Sequence, residues 1–472
     1  MADVLVRQNI WTLEEQNPNG WHPIVLAYAL AVDKLQQRPS TNPESWTYQA
    51  AVHGTYAEHP DSTYQNQCQH GSWYFLPWHR MYLFYFESII RSVLQTEVAD
   101  EIDAQTKSSW ALPYWNYLQG NSYWRLPASF ITPTLPDGRP NPLLYPRRDR
   151  NINMGGLFSQ FAIDADALGI GTFEGDMGFG GPRTDFMHFG NVHGQLESDP
   201  HDLVHGNVGG DMGDPNTAAL DPIFWLHHAN IDRLWAVWLA QGGGRANPTD
   251  PAWTTDQKFD FYDASGTPQN LSPSQVLDSA SQPMNYTYDD VSVPGPLEVQ
   301  PVKPEPDHPP QSVGATDQPF RLTGDTHNVS INLSEPAGPL DAATPPARVF
   351  LRLDGLTSAD VPGVPYAVFV NVPDNDQGTP KENFAGSFFP FGINLVGRRD
   401  DDHGGMTVFL DITDLFHSLN ERGLWGPRVS VRFVPLYVEA PAGPLDADAE
   451  AAPGIERKPG TINVGQVSVH YQ

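Results

Sequence analysis

Cysteine is almost missing from this chain of 472 residues: there is one, Cys68. A disulfide framework is thereby excluded, and stability has to come from burial or from bound metal. No apolar run is long enough to span a bilayer, and the opening MADVLVRQNIWTLEEQ lacks the apolar core of a secretory signal. The expectation is a soluble protein, cytoplasmic or exported without a signal of its own. Positive charge is scarce too: 27 Lys and Arg stand against 56 Asp and Glu, for a net charge of −29. Nucleic acid and anionic membrane would both repel such a surface, so neither is expected as a partner. The excess reads as a solvated acidic exterior. What remains is ample for packing, since 39% hydrophobic and 11% aromatic residues exclude a disordered chain. The length allows two or three domains.

Two textures divide the chain. Residues 1 to about 240 read as helices separated by long loops. Asn42-Pro43, Asp199-Pro200 and Asp221-Pro222 each pair a capping side chain with a proline suited to the first helical position. The mostly apolar segments from Pro77 to about Gln95 and from Pro222 to about Gln241 read as helices buried on several sides of a bundle. Residues 294–318 are rich in proline and read as an extended linker. Beyond them the period becomes two, in 347–356, 366–372, 406–412, 428–436 and 462–471, the mark of half-buried strands. The expected architecture is a mainly α domain over 1–293, a four-helix bundle with long loops, followed by a β-sandwich over 319–472.

Sixteen histidines are present. His22, His59, His308, His327, His403, His417 and His470 lie in turns, linker or strands and read as solvated or hydrogen-bonded, as do His188 and His193 in a Gly-rich stretch. The rest form two groups. In LESDPHDLVHGNVGG, His201 and His205 are four apart, which puts both rings on one helix face. The next helix, in DPIFWLHHANIDRLW, adds His227 and His228. A zinc-protease site is disfavoured because Asp202 stands where the required glutamate would follow the first histidine. The other group is His53, His70 and His79, the last two in CQHGSWYFLPWHR. Imidazole-only sites suit copper or zinc. FLPWH and FWLHH both place a phenylalanine, Phe75 and Phe224, four residues before a histidine, where it can pack beside the imidazole. Two such modules face to face would make a binuclear centre. Six unsatisfied imidazoles in an apolar core would be costly otherwise.

At these motifs the chain resembles the type 3 copper proteins: tyrosinases, catechol oxidases and molluscan haemocyanins. HGTY and CQHGSWYFLPWHR match the first copper site, PHDLVHGNVGGDM and DPIFWLHHANIDRLW the second. The resemblance implies that His53, His70 and His79 hold one copper ion and His201, His205 and His228 the other, with His227 a neighbour. It implies dioxygen as co-substrate and small phenols as substrates, oxidised to o-quinones. It also implies a thioether between Cys68 and His70, clamping a ligand that rides on a loop. Glu197 matches a glutamate that holds a water near the first copper and can take the phenolic proton. Phe224 is expected against the substrate ring, with Gly206 and Met212 in the pocket, and Phe75 beside a ligand. Asp232 is expected to orient a ligand imidazole. Asp202 departs from the asparagine common in monophenol-hydroxylating members, which favours diphenol oxidation. KFDFYDASG and NYTYDD resemble the end of the plant polyphenol oxidase catalytic domain, and the β-rich tail resembles the domain that covers the site in latent plant enzymes. The tail is thus expected to act as an intramolecular inhibitor. A haemocyanin-like oxygen carrier is the alternative reading, and a zinc hydrolase a weaker one.

Overall fold

A computed structural model describes residues 4–18, 20–58, 60–293, 309–334, 346–373, 378–396, 404–441 and 453–472. His59, His308, His403 and the 294–308 part of the proline-rich stretch lie outside them.

The helical half is built on Pro23–Gln36, Trp46–His53, Phe75–Thr96 and Pro222–Ala240. Pro222–Ala240 starts as its sequence suggests, with the Asp221 carboxylate accepting from the Ile223 amide at 3.0 Å. The other two proline signals behave differently. Asn42 accepts from the Glu44 amide at 2.8 Å and so makes a turn, and the helix begins at Trp46 under a Ser45 cap. Asp199 is extended (φ −147°, ψ 123°), so Pro200 and His201 lie on a wide turn ahead of the helix Leu203–Val208. The long helix begins at Phe75, two residues before Pro77. It packs against both Pro23–Gln36 and Pro222–Ala240. Trp46, Phe86 and Trp225 lock these helices together, with Phe86 and Trp225 stacked at an interplanar angle of 11°. No helix among the described residues is long and apolar enough to cross a membrane.

Buried charge ties the bundle to its flanks. The strand Leu5–Arg7 pairs in parallel with Tyr286–Tyr288. Arg7 reaches Glu87 at 2.9 Å, and Arg80 reaches Asp232 at 2.6 Å. The hydroxyls of Tyr286 and Tyr288 both donate to Asp232 Oδ2 at 2.5 Å. Burial alone would raise the Asp232 carboxyl, yet Arg80 and Arg7 hold it below the usual carboxylate range. The carboxylate expected to orient an imidazole therefore does something else: it is the hub joining the N-terminal strand, both long helices and the closing strand. Arg233 donates to the Asp290 carbonyl at 2.6 Å and lies 3.4 Å from its carboxylate.

The second half holds two four-stranded antiparallel sheets. One runs in the order Phe384–Phe388, Tyr366–Val370, Arg428–Pro435, His327–Asn332; the other runs Met406–Asp411, Val349–Leu356, Gln466–Tyr471, Gln311–Ala315. Val429, Val431 and Phe433 alternate into a core shared with Leu351, Leu353, Val467 and Val469. Gln311–Ala315 lies inside the stretch read as linker, so the β unit starts earlier than residue 319. A helix, Thr413–Glu421, also interrupts the strands. The period-two reading fails at Tyr366–Val370, which is buried throughout. Tyr366, Val368 and Val370 face the β core while Ala367 and Phe369 face the helical core. There Phe369 meets Phe161 edge-on at 5.1 Å. The outer face of this sheet is thus the seat of the helical unit.

Removing the hub should be costly, because it leaves the buried Arg80 without its carboxylate and the Tyr286 and Tyr288 hydroxyls without their acceptor, while Arg7 retains Glu87. Asp232→Ala is expected to lower unfolding free energy by about 3–5 kcal/mol in denaturant titration. Since Asp232 contacts no imidazole, chelator resistance of bound metal at temperatures where the variant stays folded should match the parent.

Candidate dinuclear metal centre

Three elements bring His53, His70 and His79 together. His53 ends the helix Trp46–His53, His79 lies in the first turns of Phe75–Thr96, and His70 sits on the loop between. The loop is held by close backbone contact: Gly190 donates to the His70 carbonyl at 2.8 Å, and Gly71 (φ +60°) has no room for a Cβ, which would lie 2.7 Å from the Gly190 Cα. His201 and His205 come from the turn and short helix before Gly209, and His227 and His228 from Pro222–Ala240.

The ring nitrogens are sorted by what each meets. His53 Nδ1 lies 2.8 Å from the Pro215 carbonyl, His79 Nδ1 2.8 Å from that of Phe75, and His205 Nδ1 2.6 Å from that of Met212. A carbonyl can only accept, so each Nδ1 carries the proton and each Nε2 keeps a lone pair. His70 Nδ1 and His201 Nδ1 donate likewise to Glu197 and Asp202, both at 2.8 Å. The freed nitrogens point inward. His70 Nε2 and His53 Nε2 are 3.2 Å apart, and His205 Nε2 and His228 Nε2 3.4 Å. Nitrogens about 2.0–2.1 Å from one tetrahedral ion would stand at about that separation. His79 Nε2 and His201 Nε2 are buried with no hydrogen-bond partner. Burial, reinforced in most by the neighbouring imidazoles, pushes these histidines well below their usual pKa, His79 and His205 to about 3. They are neutral, which is the form that binds metal.

The groups face one another. His79 and His228 stack with ring centroids 4.4 Å apart, and His70 lies 5.4 Å from His201. Phe75 packs on His79 at 4.6 Å and Phe224 on His228 at 4.2 Å, as the matching pentapeptides suggest. Each phenylalanine also reaches across, Phe75 to His201 at 4.8 Å and Phe224 to His53 at 5.0 Å. Phe224 is fully buried among ligand rings. It therefore walls the centre from within the histidine cage. His227 has a free Nε2 close to those of His201, His205 and His228, while its Nδ1 lies 3.2 Å from the Tyr117 hydroxyl.

Behind the imidazoles lies a carboxylate layer. Glu197 takes His70 Nδ1 and the Gly71 amide, the latter at 3.0 Å. Asp202 binds His201 Nδ1 through one oxygen and His193 Nδ1, at 2.7 Å, through the other. His193, read from sequence as an unremarkable loop residue, is thus buried, its Nδ1 bound to Asp202 and 3.6 Å from Glu197. The one available signal was its spacing of four from Glu197. Cys68 is buried with its sulfur 3.4 Å from His188 Nδ1. Met212 is fully buried and offers its backbone carbonyl to His205. Gly206 is not open either: a Cβ there would lie 2.5 Å from the Phe389 ring of the β unit. Phe391 follows, fully buried, its ring 4.3 Å from His205 at 27° and 5.4 Å from His70. Nothing in the strand pattern marks these two phenylalanines as neighbours of the histidines.

Burial, with a further push from Asp202, raises the Glu197 carboxyl to about 8 although His193 opposes it. A carboxyl raised on folding costs stability above its unfolded value of about 4.3, in full once pH exceeds the folded value. In metal-free protein, Glu197→Gln should therefore gain stability relative to the parent as pH rises from about 5 to about 9, read from paired melting curves. In metal-loaded protein the same change should weaken one ion by about 10- to 100-fold in chelator competition, because the amide orients His70 less firmly.

Residues 43–184 and 172–241 match the family model described as the common central domain of tyrosinase, and 247–298 the polyphenol oxidase middle domain. Residues 309–472 match a domain of unknown function. A tyrosinase of Hahella sp. (strain CCB-MM4), HcTyr1, is 34% identical over 509 residues, covering 99% of each chain. Catechol oxidase B of Solanum tuberosum is 26% identical over 85% of this chain and 69% of its own. The structure of latent apple tyrosinase superposes with a TM-score of 0.62 at 22% identity, over 100% of this chain and 98% of that one, a likeness of fold.

Proposed function

Because this chain belongs to the type 3 copper tyrosinase and polyphenol oxidase family, a group of copper oxidoreductases, we propose that it oxidises o-diphenols to o-quinones with dioxygen and hydroxylates monophenols less readily. The two facing histidine sets fit two copper ions. The observation that carries the reading is the pair of imidazole sets with every carbonyl- or carboxylate-bound Nδ1 turned outward and the Nε2 lone pairs turned inward.

His53, His70 and His79 are assigned to one ion. His201, His205 and His228 are assigned to the other. His228 is preferred to His227 because its ring stacks on His79 and nears His53, while His227 turns to Tyr117. Bound copper supplies the electron exchange with dioxygen. The chain's own residues supply the rest. Carbonyls and carboxylates fix His53, His70, His79, His201 and His205 through Nδ1, and His228 is held instead by its ring packing on His79 and Phe224. Phe75 and Phe224 exclude water from between the sets, and the Glu197 carboxylate, behind His70, is the basic group nearest the first ion. Asp202 adds a second buried carboxyl beside it, an unfavourable neighbour for a forming phenolate, which supports preference for diphenols. The stacked ring of Phe391 over His205 supports a site shaped for an aromatic ring. It also supports the β unit as an intramolecular inhibitor occupying that position, released when the chain is cut within 294–318.

Copper-loaded full-length protein should consume dioxygen slowly with catechol, more slowly still with tyramine, and faster after limited proteolysis in 294–318. Phe391→Ala should raise the uncut rate about tenfold, the effect of freeing a ring site worth about 1.4 kcal/mol. Reversible dioxygen binding with no quinone from either form would instead identify a carrier.

The same reading includes a thioether between Cys68 and the His70 ring. A peptide spanning 68–70 from copper-loaded protein should be lighter by two hydrogen atoms and resist alkylation. A thiol that alkylates fully there would exclude the bond.

A further inference from the structure

The β unit also reaches the backbone of the helix that carries His205, by a contact separate from the Phe391 ring. His205 rides on the helix Leu203–Val208, which has six residues. A helix of that length is not stable by itself, and its last four carbonyls have no helical partners. Here all four are accounted for. Gly209 donates to the His205 carbonyl at 3.0 Å and the Asp149 amide to that of Val208 at 3.2 Å. The two between are taken by one side chain from the far end of the sequence. Arg457 Nη1 donates to Gly206 at 2.9 Å and Nη2 to Asn207 at 2.6 Å, while its Nε binds Asp149 at 2.9 Å.

The geometry is built around that guanidinium. Arg457 and Asp149 side chains are each 7% exposed. Gly209 (φ +65°) lies against it, and a Cβ there would come within 2.6 Å of Nη2. The backbone before Arg457 is strapped to the helical unit: Ile455 donates to the Arg148 carbonyl at 2.9 Å and accepts from Arg150 at 3.0 Å. Asn153 donates to the Pro453 carbonyl at 2.8 Å. A planar, five-donor cation at a helix C-terminus answers both the orphan carbonyls and the negative end of the helix dipole.

We propose that Arg457 is a positioning residue for the second copper ion: by closing the helix Leu203–Val208 it fixes His205, so the β unit completes the metal site that it also covers. This rests on the assignment of His205 as a copper ligand. It separates two contributions of the β unit, since Phe391 fills the ring position while Arg457 shapes the site, and loss of the whole unit removes both.

The test uses full-length protein, parent, Arg457→Ala, Arg457→Lys and His205→Ala. Hydrogen exchange of the metal-free forms and copper per chain after dialysis against a chelator are measured. In Arg457→Ala the amides of Leu203–Val208 should exchange faster by about tenfold or more, as losing charge-assisted hydrogen bonds implies, while Phe75–Thr96 stays at the parental rate. That variant should keep one copper ion and lose the other. Arg457→Lys keeps a charge beside Asp149 without the fork and should fall between. Parental exchange and two retained ions in Arg457→Ala would overturn the proposal. So would faster exchange along the whole chain with both ions lost, the mark of general destabilisation. His205→Ala that keeps both ions would overturn the ligand assignment itself, and this proposal with it, whatever Arg457→Ala does.

Discussion

Everything in this molecule is arranged around a cost: several imidazole lone pairs held together away from water. Burial makes the rings neutral, and carbonyls or carboxylates on Nδ1 fix the tautomers of His53, His70, His79, His201 and His205. The opposing nitrogens, such as Nε2 of His79 and His201, then have no protein partner. Without an ion this is an expensive core. With two it is a site whose ligands are already turned to the geometry they need, which limits the reorganisation that metal binding requires.

Holding such a core demands a stiff frame, and the frame is electrostatic as much as apolar. Asp232 gathers Arg7, Arg80, Tyr286 and Tyr288, and so pins both ends of the helical unit to the two long ligand-bearing helices. Arg148 does the same for Asp221, whose two oxygens it meets at 2.7 and 2.6 Å and which caps the helix of His228. In each case every charge has a partner, so the loss of any one would leave an uncompensated buried charge, and the pairs tie the elements to one register.

The β unit is bound to this frame along three kinds of contact. Phe369 and Phe384 pack on Phe161, Phe389 and Phe391 fill the space before Gly206 and His205, and the strap before Arg457 pairs with Arg148–Arg150. The apolar contacts supply area, whereas the arginine contact supplies direction, because a guanidinium must meet its acceptors in plane. A cover that only blocked the site would need the first kind alone.

The histidine sets were legible in the chain from their neighbouring motifs, above all the phenylalanine four residues before His79 and before His228. The expected shared helix face of His201 and His205 was not, since His201 lies on a wide turn ahead of the helix Leu203–Val208. The sequence by itself also determined the change from helical to strand period and the two long helices. Asn42-Pro43 misled because the same cap chemistry serves a turn, and Tyr366–Val370 because a strand buried on both faces loses its alternation. The role of Asp232, the burial of His193, the filling of Gly206 by Phe389 and the reach of Arg457 were decided only by tertiary structure. Each depends on a partner from a separate element, most of them many residues away, and no periodicity carries that information. The physical reason is the same for all four: a polar or small residue shows in the sequence that it needs a partner, but only the folded chain chooses which one arrives.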